Sequence, residues 1–323
     1  MGNMAKTVDA RLTFQDRLGG WRVRWGIGRY SYLVEPGMYA IGKPSDRDVV
    51  LVTANYKLTF DSLRKELNGI NAWILVLDTR GINVWCAAGK GTFGTDELVK
   101  RLQSAGVDKV VTHRTLIVPQ LGAPGVSGFE VFRRTGFRVV FGPVRAGDLP
   151  RFLERGVKAD QEMRIVTFSF LERLAVIPVE LVMSLKYFAV FSAIALVLWV
   201  LVGGSRFQEA LSLSLSVLGA FFTGIVLVPA LLPWIPFRSF ALKGWTLGLF
   251  WAVAAGYLWR AGPWRFCGNL LLLPALSAFL SLNFTGASTF TSQTGVNREI
   301  KLFAKPMGVA AALGLLLTLV GAV

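Results

Sequence analysis

Cys86, Cys267 and His113 are the only thiols and the only imidazole in a chain of 323 residues. Two cysteines are too few for a disulfide scaffold, and an all-cysteine iron–sulfur cluster needs about four thiolates. One histidine leaves no room for a His-rich or Cys/His zinc site. Cys86 is the one thiol outside the apolar C-terminal half, within the run Asn83-Val-Trp-Cys-Ala-Ala-Gly-Lys90. The small residues after it let a broad ligand approach the backbone. Lys90, four residues on, favours a thiolate if the turn is helical, and a thiolate is a soft metal ligand. A buried, inert cysteine in a strand-to-helix turn is the plain alternative, and the residues alone leave both open.

The adjoining run Gly89-Lys-Gly-Thr-Phe-Gly94 satisfies G-x-G-x-x-G. The next expected strand ends in His113 and Arg114, not in an acid that would hold a ribose, which argues against nicotinamide binding. It is not a Walker A loop either, because Gly91 follows Lys90 and Val84 stands where the first glycine belongs.

The pattern from residue 48 onward supplies elements to position this segment. Strands are expected at 48–53, 71–78, 109–113, 115–120 and 137–141. Helices are expected at 60–67, at 95–102 with Thr95 as N-cap, and at 129–135. Continuous apolar strands alternating with helices indicate a parallel sheet covered on both faces, a Rossmann-like α/β domain. Ligands of such sheets sit beyond the C-terminal strand ends, and Cys86 follows the end of the 71–78 strand.

The C-terminal half is oily, and hydrophobic residues make up 53% of the whole chain. Uncharged stretches between Lys186 and Arg206 and at 210–237, 244–259, 266–282 and 306–323 are read as about five transmembrane helices. The expected organisation is an N-terminal extension (1–47), a cytoplasmic α/β domain (48–163), a linker with an interfacial segment (164–185) and a transmembrane domain (186–323). No secretory signal is read before residue 165. Lys186, Arg238, Lys243, Arg298, Lys301 and Lys305 then lie inside, and Arg206, Arg260 and Arg265 outside, a positive-inside bias. The apolar cores carry no ionisable residue, and the polar run 283–297 reads as a loop, so the spans are an anchor or docking surface rather than a transporter. The net charge of +15 therefore speaks for membrane and acidic partners, not for nucleic acid.

Asn83-Val-Trp-Cys-Ala-Ala-Gly-Lys90 resembles the signature of the corrinoid protein of microbial mercury methylation, the HgcA family. The resemblance extends over residues 30–185 and includes Thr53-Ala-Asn-Tyr-Lys-Leu-Thr-Phe-Asp61 and Val118-Pro-Gln-Leu-Gly-Ala-Pro-Gly-Val126. These runs are also similar to the large subunit of the corrinoid iron–sulfur protein of the acetyl-CoA pathway. The spans fit the mercury family, whereas the missing cluster cysteines depart from the soluble relative. The resemblance implies a cobalamin- or methylcobalamin-type corrinoid held base-off, with Cys86 as the catalytic residue and lower axial ligand to cobalt on a short cap helix. Asn83, Val84, Trp85, Ala87, Ala88, Gly89, Lys90 and Gly91 would shape that cap. Thr53 and Thr59 would hydrogen-bond the corrinoid near its tail, and Gly122, Ala123 and Gly125 would line the pocket. His113 is not assigned to cobalt.

The function this implies is a corrinoid-dependent methyltransferase that moves a methyl group from cobalt to Hg(II), forming methylmercury. A thiolate trans to the methyl favours transfer with carbanion character. The implied partners are a ferredoxin-like electron donor with two [4Fe–4S] clusters, a methyl donor protein or methyl-folate system, the Hg(II) substrate and the lipid bilayer. The implied location is the cytoplasmic membrane with the corrinoid domain facing the cytoplasm. Two alternatives stand beside it: a membrane-anchored corrinoid methyl carrier of one-carbon metabolism of the acetyl-CoA-pathway type, and a non-enzymatic cobalamin-binding or transport protein.

Overall fold

A computed structural model describes residues 5–201, 207–287 and 293–321. The chain opens with β1 (Lys6–Val8), α1 (Phe14–Arg24), β2 (Gly37–Ile41), β3 (Val50–Ala54), α2 (Lys57–Arg64) and β4 (Ala72–Leu77). It continues through α3 (Val84–Gly89), α4 (Thr95–Ser104), α5 (Val107–Val110), β5 (Thr115–Val118), α6 (Gly128–Thr135), β6 (Arg138–Phe141) and α7 (Leu149–Glu154). The six strands form one sheet in the order β1-β2-β4-β3-β5-β6.

Strands β3, β4, β5 and β6 are parallel, with Leu51 opposite Ile74 and Ile117, and Leu116 opposite Val139. The expected all-parallel sheet is nevertheless a mixed one. β2 runs antiparallel to β4, pairing Tyr39 with Ile74, and β1 runs parallel to β2. The connection 42–49 is too short for the crossover of a dozen or more residues that a parallel return requires. Two strands and a helix therefore come from the segment read in sequence as an N-terminal extension. The expected strand at 109–113 is absent: Gly106 at φ 60° starts the short helix α5 instead.

Both faces of the sheet are buried. On one, Val52, Ala54, Leu75 and Leu77 meet Ala87, Phe93, Leu98 and Val131. On the other, Leu51, Ile74 and Val76 meet Phe60, Leu67 and Phe152. The chain leaves β3 for β4 on one side and later returns to β5 on the other, so the strand order reverses between β3 and β5. The crevice at such a switch point is where open α/β sheets bind ligands.

Residues 1–23 and 27–166 form one compact unit, and residues 24–26 and 167–323 form a second. The second holds α8 (Phe170–Leu201), α9 (Phe207–Phe222), a π-helical turn (Thr223–Leu227), α10 (Val228–Leu231), α11 (Phe240–Leu258), α12 (Pro263–Asn283) and α13 (Gln293–Val320). Among the described residues four stretches are long and apolar enough to cross a membrane: Phe170–Ile194, Gln208–Leu231, Pro263–Asn283 and Thr294–Val320. The remaining expected span, 244–259, is α11, whose 19 residues include Lys243 and two tryptophans and fall short in mean hydropathy. Helix α8 begins at Phe170, so the segment 164–185 is largely its first half. Arg206 and residues 288–292 of the polar run lie outside the described residues. Helices α11 and α12 pack at close range where Gly244 and Gly248 meet Ala278 and Pro274, the small-residue contact that apolar helices use.

Candidate functional site

Beyond β4 the backbone reverses through Arg80 and Gly81, at φ 56° and 73°. Arg80 carries a Cβ, so this left-handed turn costs about 1 kcal/mol and must be held from outside. The buried side chain of Asn55, just past β3, holds it. Its Oδ1 accepts from the Thr79 amide at 3.1 Å, the Thr79 hydroxyl at 2.9 Å and the Gly81 amide at 3.0 Å. Its Nδ2 donates to Asp78 Oδ1 at 3.3 Å. From α4, the Glu97 carboxylate accepts the Asp78 amide at 2.9 Å.

The chain then enters α3. Asn83 is extended, and its Oδ1 accepts the Cys86 amide at 2.9 Å, an N-cap that satisfies one of the orphan donors of the first turn. Cys86 therefore sits within the first turn of a real helix, half-buried and as a free thiol. Lys90 closes the helix through its amide, 3.1 Å from the Cys86 carbonyl, while its side chain is exposed. Gly91 at φ 78° ends the helix in the left-handed region, where a side chain would be strained.

The cap rests on a second loop. The Ala87 carbonyl accepts the amides of Thr92 (3.0 Å) and Phe93 (3.1 Å), and Phe93 is fully buried beneath. The loop after β5 folds through Gly122 N–H to Pro119 O (2.8 Å) and Gly125 N–H to Gly122 O (3.0 Å). The Gly125 carbonyl then accepts the Thr95 amide at 3.1 Å. A Cβ on Gly125 would overlap the Phe93 carbonyl and come within 3.1 Å of Ala88 Cα. The two loops thus meet backbone to backbone, and only glycine fits there.

The structure brings together most of the residues singled out in sequence. Asn83, Val84, Trp85, Cys86, Ala87, Ala88, Gly89, Lys90 and Gly91 form the cap and its exit, and Gly122, Ala123 and Gly125 lie in the loop packed against it. Val84, Ala87, Ala88 and Gly122 are buried, while Trp85 and Cys86 are half-exposed. Thr53 and Thr59 do not join this group. Thr53 is buried on β3 on the side of Leu51, the layer of α2, and Thr59 is half-buried in α2 itself. Helix α4 is capped by Gly94 rather than Thr95, whose hydroxyl instead accepts the Ser127 amide at 2.9 Å. Asn55 escaped the sequence reading although it lies within the run 53–61. The available signal was a carboxamide directly after an otherwise apolar buried strand.

Among the described residues no three His, Cys, Asp or Glu side chains converge. Cys86 can therefore serve as one soft ligand to a metal whose remaining positions are filled by another molecule. A single half-exposed thiol is compatible with the corrinoid ligand that the resemblance of this segment implies.

Residues 28–153 match the family described as CO dehydrogenase/acetyl-CoA synthase delta subunit. Curated relatives include acetyl-CoA decarbonylase/synthase complex subunit gamma 2 of Methanosarcina thermophila, 37% identical over 126 residues. Subunit gamma of Methanopyrus kandleri is 36% identical over 124 residues, and subunit gamma of Archaeoglobus fulgidus 33% identical over 124. Each match takes in 38% of this chain and 26% of the relative, so the chain spans about a quarter of their length. These similarities correct the expectation of a mercury methyltransferase. These curated relatives are named for acetyl-CoA decarbonylase/synthase, and Hg(II) as methyl acceptor falls with that reading.

Proposed function

We propose that this chain holds a corrinoid at the C-terminal edge of its sheet and serves as a methyl carrier in one-carbon metabolism of the acetyl-CoA-pathway type, anchored in a bilayer by its helical unit. One coincidence carries the reading: the matched stretch 28–153 encloses Cys86, its cap helix and the glycine loop packed beneath it.

A bound corrinoid supplies a cobalt atom on which a methyl group can be carried between partners. The chain's own residues supply the seat. Cys86 would ligate the cobalt, and Asn83 holds it in register by accepting its amide. Ala87 and Ala88 seat the cap helix in the core, Gly89 leaves its exposed end without a side chain, and the 122–125 loop packs against the cap. Thr53 and Thr59, on the other layer, belong to the proposal as partners of the corrinoid tail.

With two cysteines in the whole sequence, reducing equivalents come from a separate protein, and a ferredoxin-like donor with two [4Fe–4S] clusters is the class that fits. A methyl donor protein or methyl-folate system supplies the methyl group. The family model names a delta subunit and the curated relatives are gamma subunits, so the similarity supports a complex-forming protein more than one particular place in a complex. The location we propose is the cytoplasmic membrane, with the cap facing the cytoplasm.

The test is anaerobic reconstitution of the full chain in detergent with methylcobalamin. The wild type is expected to show a base-off spectrum with sulfur-to-cobalt charge-transfer absorption, and Cys86→Ala to lose that absorption. Identical spectra for the two proteins, or no uptake by the wild type, overturn the reading. Passage of the bound methyl to a one-carbon acceptor then separates a carrier from a mere binder.

A further inference from the structure

Helix α1 lies outside the corrinoid site and shows two contrasting faces. Its inner face is locked to the domain. Thr13 and Asp16 form a capping box, the Asp16 amide donating to Thr13 Oγ1 and the Thr13 amide to Asp16 Oδ2. Asp16 also takes Lys57 at 2.5 Å and Arg64 at 2.7 Å, and both cations pair with Asp61. Burial opposes the charge on Asp16, yet hydrogen bonds from Lys57, Thr13 and Arg64 hold its carboxyl well below the usual carboxylate range. Gly20 and Val23 are buried on the same side.

The outer face is apolar. Phe14, Leu18 and Trp21, at i, i+4 and i+7, make one stripe and are 78%, 43% and 58% exposed. At 3.6 residues per turn, Arg17 and Arg24 flank that stripe on one side and Arg22 on the other, all three exposed. Residues 10–34 carry five arginines and a single acid, Asp16, which is the one turned inward. An aromatic ridge between rows of cations is the composition of a helix lying in a lipid headgroup layer. The rings enter the acyl boundary and the guanidinium groups reach phosphates. The chain also carries four stretches apolar enough to cross a bilayer, so such a surface is tethered close at hand.

We propose that α1 is an interfacial helix that docks on an anionic bilayer through Phe14, Leu18 and Trp21, with Arg17, Arg22 and Arg24 binding lipid phosphates. This holds whether or not a corrinoid is bound.

The test places an environment-sensitive fluorophore on Leu18→Cys, in a Cys86→Ala/Cys267→Ala background, with the full chain in nanodiscs. Discs of phosphatidylcholine alone are compared with discs holding about one-third phosphatidylglycerol, each with shallow doxyl-labelled lipid as quencher. Emission is expected to shift to the blue and be quenched in the anionic discs, while a label on exposed Lys100→Cys stays water-like. Phe14→Cys is a second reporter on the same ridge. Replacing Arg17, Arg22 and Arg24 by Gln should lower the docked-to-undocked ratio on the order of 100-fold. Quenching that is equal in both discs or absent from both overturns the proposal. So does protection of Leu18 that arises only when a protein partner is added.

Discussion

At the N-terminal end of β5, His113 has both ring nitrogens engaged: Nε2 lies 2.8 Å from the Asp48 carbonyl, and Nδ1 accepts the Thr115 amide at 3.3 Å. At the C-terminal end of β4, Cys86 is half-exposed on a helix whose capping bonds go through its backbone. The two residues are the scarcest donors in the α/β unit, and the same sheet treats them in opposite ways. One is absorbed into structure through its side chain; the other is held by its backbone, with its thiol half-exposed. A rare residue type marks a site only when its lone pairs are uncommitted, and that is decided by the strand end at which it falls.

Substitutions at the two ends can break this contrast. The largest effect is expected from Gly125→Ala, because the new Cβ meets backbone on both sides that cannot yield; about 3 kcal/mol should be lost in a urea melt, together with corrinoid uptake. Asn55→Ala leaves the Thr79 and Gly81 amides without their acceptor, so about 2 kcal/mol is expected to go, with a weakened cobalt–sulfur absorption. Asn83→Ala removes one helix cap; about 1 kcal/mol should be lost, and Asn83→Asp should recover most of it. The smallest effect is expected from His113→Gln, under about 1 kcal/mol by thermal melting with an unchanged corrinoid spectrum. If His113→Gln disturbed that spectrum as much as Asn55→Ala, the two ends would not be independent.

Much of the α/β unit was legible in the sequence because its central strands are short continuous apolar runs. β3, β4, β5, β6, α2, α4 and α6 fall where periodicity puts them. What escaped follows physical rules that a linear pattern does not carry. β1 has three residues, and β2 belongs to the sheet through an antiparallel pairing with β4 that no local signal announces. The Lys109–His113 run is β-branched, yet its first two residues close the short helix α5 that the left-handed Gly106 starts, and no strand forms before Thr115. The cap was legible as a motif, since Asn, Cys and small residues stand in order. The turn held by Asn55 was not, because its partners lie 24 and 26 residues away. α1 was hidden for another reason: its largest apolar side chains, Phe14, Leu18 and Trp21, face solvent while its one acid, Asp16, faces the domain, so no ordinary surface-helix pattern shows.

The Asn55 carboxamide has a consequence for the order in which the protein assembles. It can hold the Thr79–Gly81 turn only when β3 and β4 already lie side by side, since it hangs from one and grips the exit of the other. The cap helix is thus a late event, conditional on a non-local strand pairing, and α3 at six residues is far too short to persist unaided. An excised peptide of residues 78–94 would be a coil with a wandering thiol. The geometry of Cys86 is a property of the completed sheet, and it is lost as soon as that pairing opens.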